Sequence, residues 1–277
     1  RQKQRSIYNN YELLKQLGAG SFGMVFYTKH ILTHKEAALK FIQKSYTSKF
    51  TETVFSEIHC LEKLKHNHII NLDSVINAKD HMILVMEYAK GGDLKDYIKC
   101  YDGLVDADFC NFIIESFGKS EVSYFDREQR PSFHEFNMSQ RFLAKDPLWV
   151  PIQEKISKIL LDTVELYMDE LDLGPDFPVK YAFEQHRMKM YENNNYDQFK
   201  DHVDVQNYDS ARRFLVCFVY LNSVRRGGET NFPKLGYAVR PECGRILLFP
   251  ANWQYRHAGL PPKTGRKYII GSYLHYV

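Results

Sequence analysis

The chain has 277 residues, 44% hydrophobic and 26% charged, which is ordinary globular usage and excludes a disordered or collagen-like polymer. Its 37 Lys+Arg against 34 Asp+Glu leave a formal charge of +3, with no basic run long enough to track phosphates, so nucleic acid is not an expected partner. The balance is uneven: residues 1–99 carry 15 basic and 10 acidic side chains, the remainder 22 and 24, as if two differently charged parts were joined.

Five cysteines, Cys60, Cys100, Cys110, Cys217 and Cys243, are scattered without a CxxC pair, the pattern of reduced thiols. Arg1 to Asn10 is polar and basic without an apolar h-region, and no stretch approaches the roughly 18 apolar residues that span a bilayer. The expectation is a soluble cytoplasmic protein with no membrane partner.

Between residues 11 and 45 short apolar bursts at Tyr11–Leu17, Met24–Thr28 and Ala37–Ile42 are separated by glycines and polar residues, which predicts a strand meander. From Glu52 to Leu64 the apolar positions Val54, Phe55, Ile58, Leu61 and Leu64 recur at helical spacing behind Thr51 as a cap. Strands at Ile69–Ile76 and Met82–Glu87 lead to the loop Lys90–Asp93. The character changes near Lys99–Asp102, dividing the chain into domains 1–99 and 100–277. Asp106–Phe117 reads as a short helix, Glu121–Gln140 as polar and irregular, and Pro151–Leu171 as a long helix with one apolar stripe. Tyr181 to Val277 is strand and turn, with strands at Arg187–Tyr191, Phe199–Val205, Phe214–Leu221, Arg245–Phe249 and Lys267–Tyr276, suiting a small antiparallel barrel or sandwich with side chains converging on one mouth. The fold class is α+β in two domains.

Gly18, Gly20 and Gly23 form a GxGxxG run continuing into Val25, with predicted strands on both sides. Glycines there let a backbone close over phosphate oxygens. A dinucleotide fingerprint would lead into a helix; here a strand follows, then Ala37-Ala38-Leu39-Lys40, whose lysine can reach phosphate while Glu57 on the helix pairs with it. Residues 11–98 resemble the N-terminal lobe of eukaryotic serine/threonine protein kinases. The resemblance makes Gly18, Gly20, Gly23, Val25, Lys40 and Glu57 nucleotide-binding positions, Met86 the gatekeeper and Glu87–Ala89 the hinge. No HRD or DFG string follows, and Asp108-Phe109-Cys110 comes too soon after the hinge to serve. Phosphoryl transfer is therefore not expected, and ATP binding is expected to be weak and vestigial.

His202-Val203-Asp204 sets two metal-binding side chains on one face of an extended segment. A single HxD is common by chance, and its weight comes from His257 downstream and from Lys267 ten residues later. Two histidines and one carboxylate leave open positions on Fe(II), and a lysine in the same mouth offers a cation to a dicarboxylate. Residues 101–277 resemble the prolyl 4-hydroxylase-like branch of the Fe(II)- and 2-oxoglutarate-dependent dioxygenases, through His202 and Asp204, the turn Gly227–Pro233, Pro241–Phe249, and His257 through Lys267. That resemblance implies a double-stranded β-helix, or jelly roll, with supporting helices. It makes His202, Asp204 and His257 iron ligands and Lys267 the anchor for the distal carboxylate of 2-oxoglutarate, with Thr230 and Tyr191 as co-substrate contacts. A one-residue shift in register would exchange Lys267 with Arg266. Trp253 and Tyr255 are expected to wall the mouth; His134, His186 and His275 are expected to be satisfied or solvent-facing.

The implied activity is hydroxylation of a substrate C–H with O2 and 2-oxoglutarate, releasing succinate and CO2, with ascorbate as an accessory reductant and a peptidyl proline as the favoured substrate. Three other readings stay open: a catalytically dead kinase-like nucleotide-binding or interaction module, a hydroxylase of a free amino acid or other small molecule, and a zinc hydrolase using the same triad, in which Lys267 would have no dicarboxylate to bind.

Overall fold

The computed structural model describes residues 6–8, 10–20, 23–44, 48–63, 70–89, 92–126 and 131–277. The chain divides into two compact units, 1–92 and 93–277, and each is described by itself. The division falls before the boundary read at Lys99 because Lys99–Tyr101 is an edge strand of the second unit.

In the first unit, β1 (Ser6–Tyr8), β2 (Tyr11–Gly20), β3 (Gly23–His30), β4 (Glu36–Gln43), β5 (Leu72–Asn77) and β6 (His81–Met86) make one antiparallel sheet in the order β1-β2-β3-β4-β6-β5. Helix α1 (Ser48–Lys63) joins β4 to β5 and packs Val54, Ile58 and Leu61 on Ile42 and Leu84, while Ala37, Leu39, Ile83 and Val85 form a core on the opposite face. The helix begins at Ser48, before the expected cap, so Thr51 lies inside it. Ser21 and Phe22 of the glycine-rich turn, Leu64 and Ile69, and Lys90 and Gly91 of the following loop fall outside the described residues. Gly23 is needed for a local reason: at φ +132 a Cβ would meet the carbonyl oxygen of Phe41 on β4 at 1.8 Å.

The second unit begins with β7 (Lys99–Tyr101) and α2 (Ala107–Gly118), whose first turn is closed by Asp106 accepting from Phe109 N at 2.7 Å. Asp108 and Phe109 belong to that helix. The segment read as irregular folds into the hairpin β8 (Ser123–Asp126) and β9 (Ser132–Asn137), then α3 (Met138–Leu143). Its strands, Ser-Tyr-Phe-Asp and Ser-Phe-His-Glu-Phe-Asn, are short and do not alternate polar with apolar residues, so no period-two pattern stands out. Helix α4 (Trp149–Glu170) starts ahead of Pro151, because Asp146 accepts from the backbone N–H groups of Leu148 and Trp149, and a proline is tolerated in a first turn.

The strands that follow are β10 (Tyr181–Phe183), β11 (Arg187–Tyr191), β12 (Phe199–His202), β13 (Arg213–Tyr220), β14 (Thr230–Phe232), β15 (Tyr237–Val239), β16 (Ile246–Pro250), β17 (His257–Gly259) and β18 (Lys267–Tyr276). They make a large antiparallel sheet ordered β7-β16-β13-β18-β11-β9-β8, with β10 also on β18, and a small one ordered β12-β17-β14-β15. Helix α4 lays Ile152, Ile156, Leu160 and Val164 on one face of the large sheet against Met188, Cys217, Leu248 and Ile270. The other face buries Tyr191, Val216, Tyr220, Leu247, Phe249 and Ile269 together with Phe232 and Val239 of the small sheet. Each such aliphatic side chain contributes about 1.5–3 kcal/mol of burial free energy, so the sheets are held as a rigid frame around the mouth between them.

Candidate metal centre

Pairing of β12 with β17 sets His202 opposite His257, and Asp204 lies just past the end of β12. One donor atom from each of His202, Asp204 and His257 falls within 4.8 Å of the others. His202 Nε2 is 3.7 Å from Asp204 Oδ1, and His257 Nε2 is 3.7 Å from Asp204 Oδ2. The Nδ1 atom of His202 lies 2.7 Å from the carbonyl of Lys200, and that of His257 lies 3.1 Å from the carbonyl of Tyr255. A carbonyl can only accept, so each Nδ1 carries the proton and each Nε2 turns a lone pair inward. Burial, then the neighbouring His257, pushes His202 down to about 4, keeping the ring neutral.

Asp204 Oδ2 and His257 Nε2 are buried without any hydrogen-bond partner. Orphaned acceptors of this kind are costly, and here the two converge with His202 Nε2 on one point. A divalent cation satisfies all of them at once, and two imidazoles with one carboxylate are the donors Fe(II) accepts while keeping positions open. The residues therefore fit the metal.

Around the triad, Tyr273 on β18 donates its hydroxyl to Asp204 Oδ1 at 2.8 Å, and Arg213 donates to the Asp204 backbone oxygen at 3.2 Å. Arg213 is itself held by two bonds to Glu184, at 2.7 and 2.8 Å. Phe199 stacks on His202 with centroids 3.8 Å apart. Sequence reading named none of these four. Period two along β18 puts Tyr273 on the same face as Lys267, so that signal was present.

Lys267 is 1% exposed, at the start of β18 opposite Tyr191. Its ammonium lies 5.3 Å from the ring centre of Tyr191 and 5.5 Å from that of Tyr220, and it forms no ion pair among the described residues. Burial pushes it down to about 7. The hydroxyls of Tyr220 and Thr230 share a 2.6 Å hydrogen bond, and burial pushes the Tyr191 and Tyr220 phenols up. Arg266 points outward, to Glu192 at 2.9 Å. Of the remaining candidates, His186 is buried with Ser157 3.4 Å from its Nε2, His275 lies 3.7 Å from Glu184, and His134 packs on Tyr124. Trp253 and Tyr255 do not wall the mouth: Trp253 is solvent-exposed, and Tyr255 is buried in the core between the sheets.

A cavity of about 960 Å³ opens beside the triad, with His202, Phe199, Phe218, Lys189, Arg213 and Tyr273 on its wall. In the first unit Lys40 and Glu57 form an ion pair at 2.5 Å, and Val25 lies in register with both Gly18 and Lys40.

No helix among the described residues is long and apolar enough to cross a membrane. Residues 11–121 match the family described as protein kinase domain, and residues 187–275 match the 2OG-Fe(II) oxygenase superfamily. The carbon catabolite-derepressing protein kinase of Candida glabrata is 45% identical over 95 residues, covering 34% of this chain and 15% of that protein. Its namesake from Saccharomyces cerevisiae is 45% identical over 91 residues, 32% of this chain and 14% of that one. This chain thus spans only a small part of the length of these relatives. With the His-Asp-His cluster inside the second matched stretch, the chain carries a protein kinase N-terminal domain followed by a domain of the 2OG-Fe(II) oxygenase superfamily.

Proposed function

We propose that the second unit is an Fe(II)- and 2-oxoglutarate-dependent dioxygenase that hydroxylates a substrate C–H, a prolyl residue in a peptide being the substrate its prolyl 4-hydroxylase resemblance favours. The observation that carries this reading is the convergence of Asp204 Oδ2 and His257 Nε2, both buried and unpartnered, with His202. When bound, Fe(II) with 2-oxoglutarate and O2 supplies the oxidation that installs the hydroxyl, with release of succinate and CO2. His202, Asp204 and His257 hold the metal, and Tyr273 and Arg213 fix the carboxylate that completes the set. Lys267 receives the distal carboxylate of the co-substrate. Burial has lowered the affinity of its amine for a proton, and an entering carboxylate restores the charged form by supplying the missing partner. Thr230 and Tyr220 present hydroxyls to that end of the co-substrate, and the Tyr191 ring closes its side. Ascorbate serves as an accessory reductant.

The test is anaerobic addition of Fe(II) and 2-oxoglutarate to the purified chain, watching for the weak visible charge-transfer band, with His202→Ala and Lys267→Ala alongside. A band lost in His202→Ala, and requiring more co-substrate in Lys267→Ala, supports the reading. No band in a folded, metal-loaded protein overturns it. Succinate release with proline-containing peptides against free L-proline then separates a peptidyl from a small-molecule hydroxylase.

A second reading concerns the first unit, where the Lys40–Glu57 ion pair favours a nucleotide-phosphate site beside Gly18, Gly20, Gly23 and Val25. Saturable binding of a fluorescent ATP analogue, weakened by Lys40→Met, supports it. No saturable binding leaves the lobe an interaction module.

A further inference from the structure

The cavity beside the triad is lined by charge, most of it matched. Glu135 is paired with Arg187 at 2.6 Å, Glu184 with Arg213 at 2.7 Å, and Asp201 with Arg256 at 2.6 Å. Of the wall's charges without an ion pair among the described residues, Lys200, Asp209 and Arg212 are exposed to solvent, whereas Lys189 is half-buried. It projects from the middle of β11 on the same face as Arg187 and Tyr191, and among the described residues it has neither an ion pair nor a hydrogen bond. Its ammonium lies 4.8 Å from the ring centre of Phe133 and 5.4 Å from that of Phe199, the ring stacked on His202. Two aromatic faces supply no hydrogen-bond acceptor and compensate a cation only in part. Burial pushes the Lys189 pKa down, while the fields of Glu135 and Asp204 act in the opposite sense.

The register separates this lysine from the one reserved for the co-substrate. Tyr191 lies opposite Lys267, Lys189 opposite Ile269 and Arg187 opposite Gly271, so Lys189 is a step along β18 from Lys267 toward Tyr273 and the metal ligands. Lys189 and His202 share the cavity wall; Lys267 does not reach it.

Resting on the dioxygenase reading, we propose that Lys189 is a specificity-determining residue that binds a carboxylate of the primary substrate, placed next to the carbon that is hydroxylated. Phe133 and Phe199 flank the same point and take the apolar part of the molecule. The carboxylate is either the α-carboxylate of a free amino acid or an acidic side chain beside the target residue of a peptide. In both cases the bond formed is a charge-assisted hydrogen bond, stronger than one between neutral groups.

The experiment uses the full chain loaded with Fe(II) and 2-oxoglutarate without oxygen, and calorimetric titration of two probe pairs. One pair is L-proline and L-prolinamide; the other is the acetylated, amidated dipeptides Pro-Asp and Pro-Asn. The carboxylate-bearing member of one pair is expected to bind about tenfold tighter than its amide. Which pair shows the preference identifies the source. That preference is expected to vanish in Lys189→Met and persist in Lys189→Arg, while the 2-oxoglutarate concentration that half-saturates the visible band changes less than about twofold. No carboxylate preference in either pair, or one that survives in Lys189→Met, overturns the proposal. So does a rise of tenfold or more in half-saturating 2-oxoglutarate in Lys189→Met, which assigns the lysine to the co-substrate. If the band never forms, the dioxygenase reading fails instead, a result the titrations do not imitate.

Discussion

The hydroxyl of Tyr273 donates to Asp204 Oδ1 at 2.8 Å, leaving Oδ2 turned toward His257 with no partner of its own. One oxygen of the carboxylate is thus held by the protein, which sets the orientation of the other. Tyr273→Phe keeps the ring, including its packing under the Arg213 guanidinium 4.1 Å away, and removes only the donor. The expected result is a divalent-metal affinity lower by roughly tenfold, within the range for loss of a group that orients a ligand. Titration with Mn(II) followed by electron paramagnetic resonance measures it, and an unchanged affinity would show that Arg213 and backbone geometry suffice.

Metal should also be a folding ligand. Three acceptors facing one another repel, and a cation bound only by the folded chain stabilises by about 2.7 kcal/mol at a hundred times its dissociation constant. Melting of the second unit is therefore expected to rise by several degrees when EDTA is replaced by Mn(II), and the increment should disappear in His202→Ala. Trp149 and Trp253, the chain's two tryptophans, both lie in that unit, so their fluorescence reports it alone. An increment that persists in His202→Ala would place the stabilising metal elsewhere.

Lys267 should affect stability and binding with opposite signs. A buried amine without an anionic partner destabilises the fold, and replacing it by an apolar side chain of similar volume removes that cost. Lys267→Met is expected to melt about 2–4 °C higher than the parent in the absence of 2-oxoglutarate. The same variant is expected to need at least about 30-fold more 2-oxoglutarate for half-saturation, since one side of a buried charge pair is gone. Tyr220→Phe, which removes one hydroxyl from the 2.6 Å bond with Thr230, should cost only about fivefold. If Lys267→Met melts lower, the field of Glu229, which favours the charged amine, outweighs the cost of burying it.

Much of this site could be read from order and spacing in the chain. His202, Asp204, His257 and Lys267 stand at intervals a strand and its turns can close, and the pairing of His202 with His257 brings the distant pieces together. What escaped was carried by residue types with ordinary core roles. Tyr273, Tyr220 and Phe199 are aromatic positions in strands, where packing explains them equally well until partners are visible. Lys189 stands between Met188 and Met190 in a short strand, and only the fold shows that the methionines turn to the helix-packed face and the lysine to the mouth. The hairpin Ser123–Asn137 was missed because its strands are short and their pairing is set by tertiary contact with β11. Trp253 misled because a tryptophan near a histidine ligand suggests a wall, yet a 3-10 turn at Trp253–Tyr255 leaves its side chain in solvent.

In the first unit, the Lys40–Glu57 bond is expected to matter little for folding. Both side chains retain solvent contact, at 20% and 36% exposure, so Lys40→Met should change the stability of that unit by less than about 1 kcal/mol. Hydrogen exchange of the β3 and β4 amides measures this without interference from the second unit. A loss beyond about 2 kcal/mol would show that the pair organises the lobe rather than standing ready for a phosphate.

His186 makes the second unit sensitive to acid. The ring is 2% exposed, edge-on to Phe183, with only Ser157 near its Nε2, and burial pushes it down to about 4 from 6.5. Because the folded value lies below the unfolded one, the unfolded chain binds more protons between those limits, and stability rises with pH across that window. Above about pH 6.5 both states are neutral there and the residue has no pH effect. As pH falls toward 4 the unfolded state is favoured, by about 2 kcal/mol at pH 5. His186→Gln keeps a polar group of similar reach and cannot protonate. Urea unfolding followed by tryptophan fluorescence at pH 7 and pH 5 should therefore show the parent losing about 2 kcal/mol more than the variant. Other acid-sensitive groups, His202 among them, are common to both proteins and cancel in the difference. Parallel losses in parent and variant would mean that His186 opens to water, or finds a proton acceptor, before the unit unfolds.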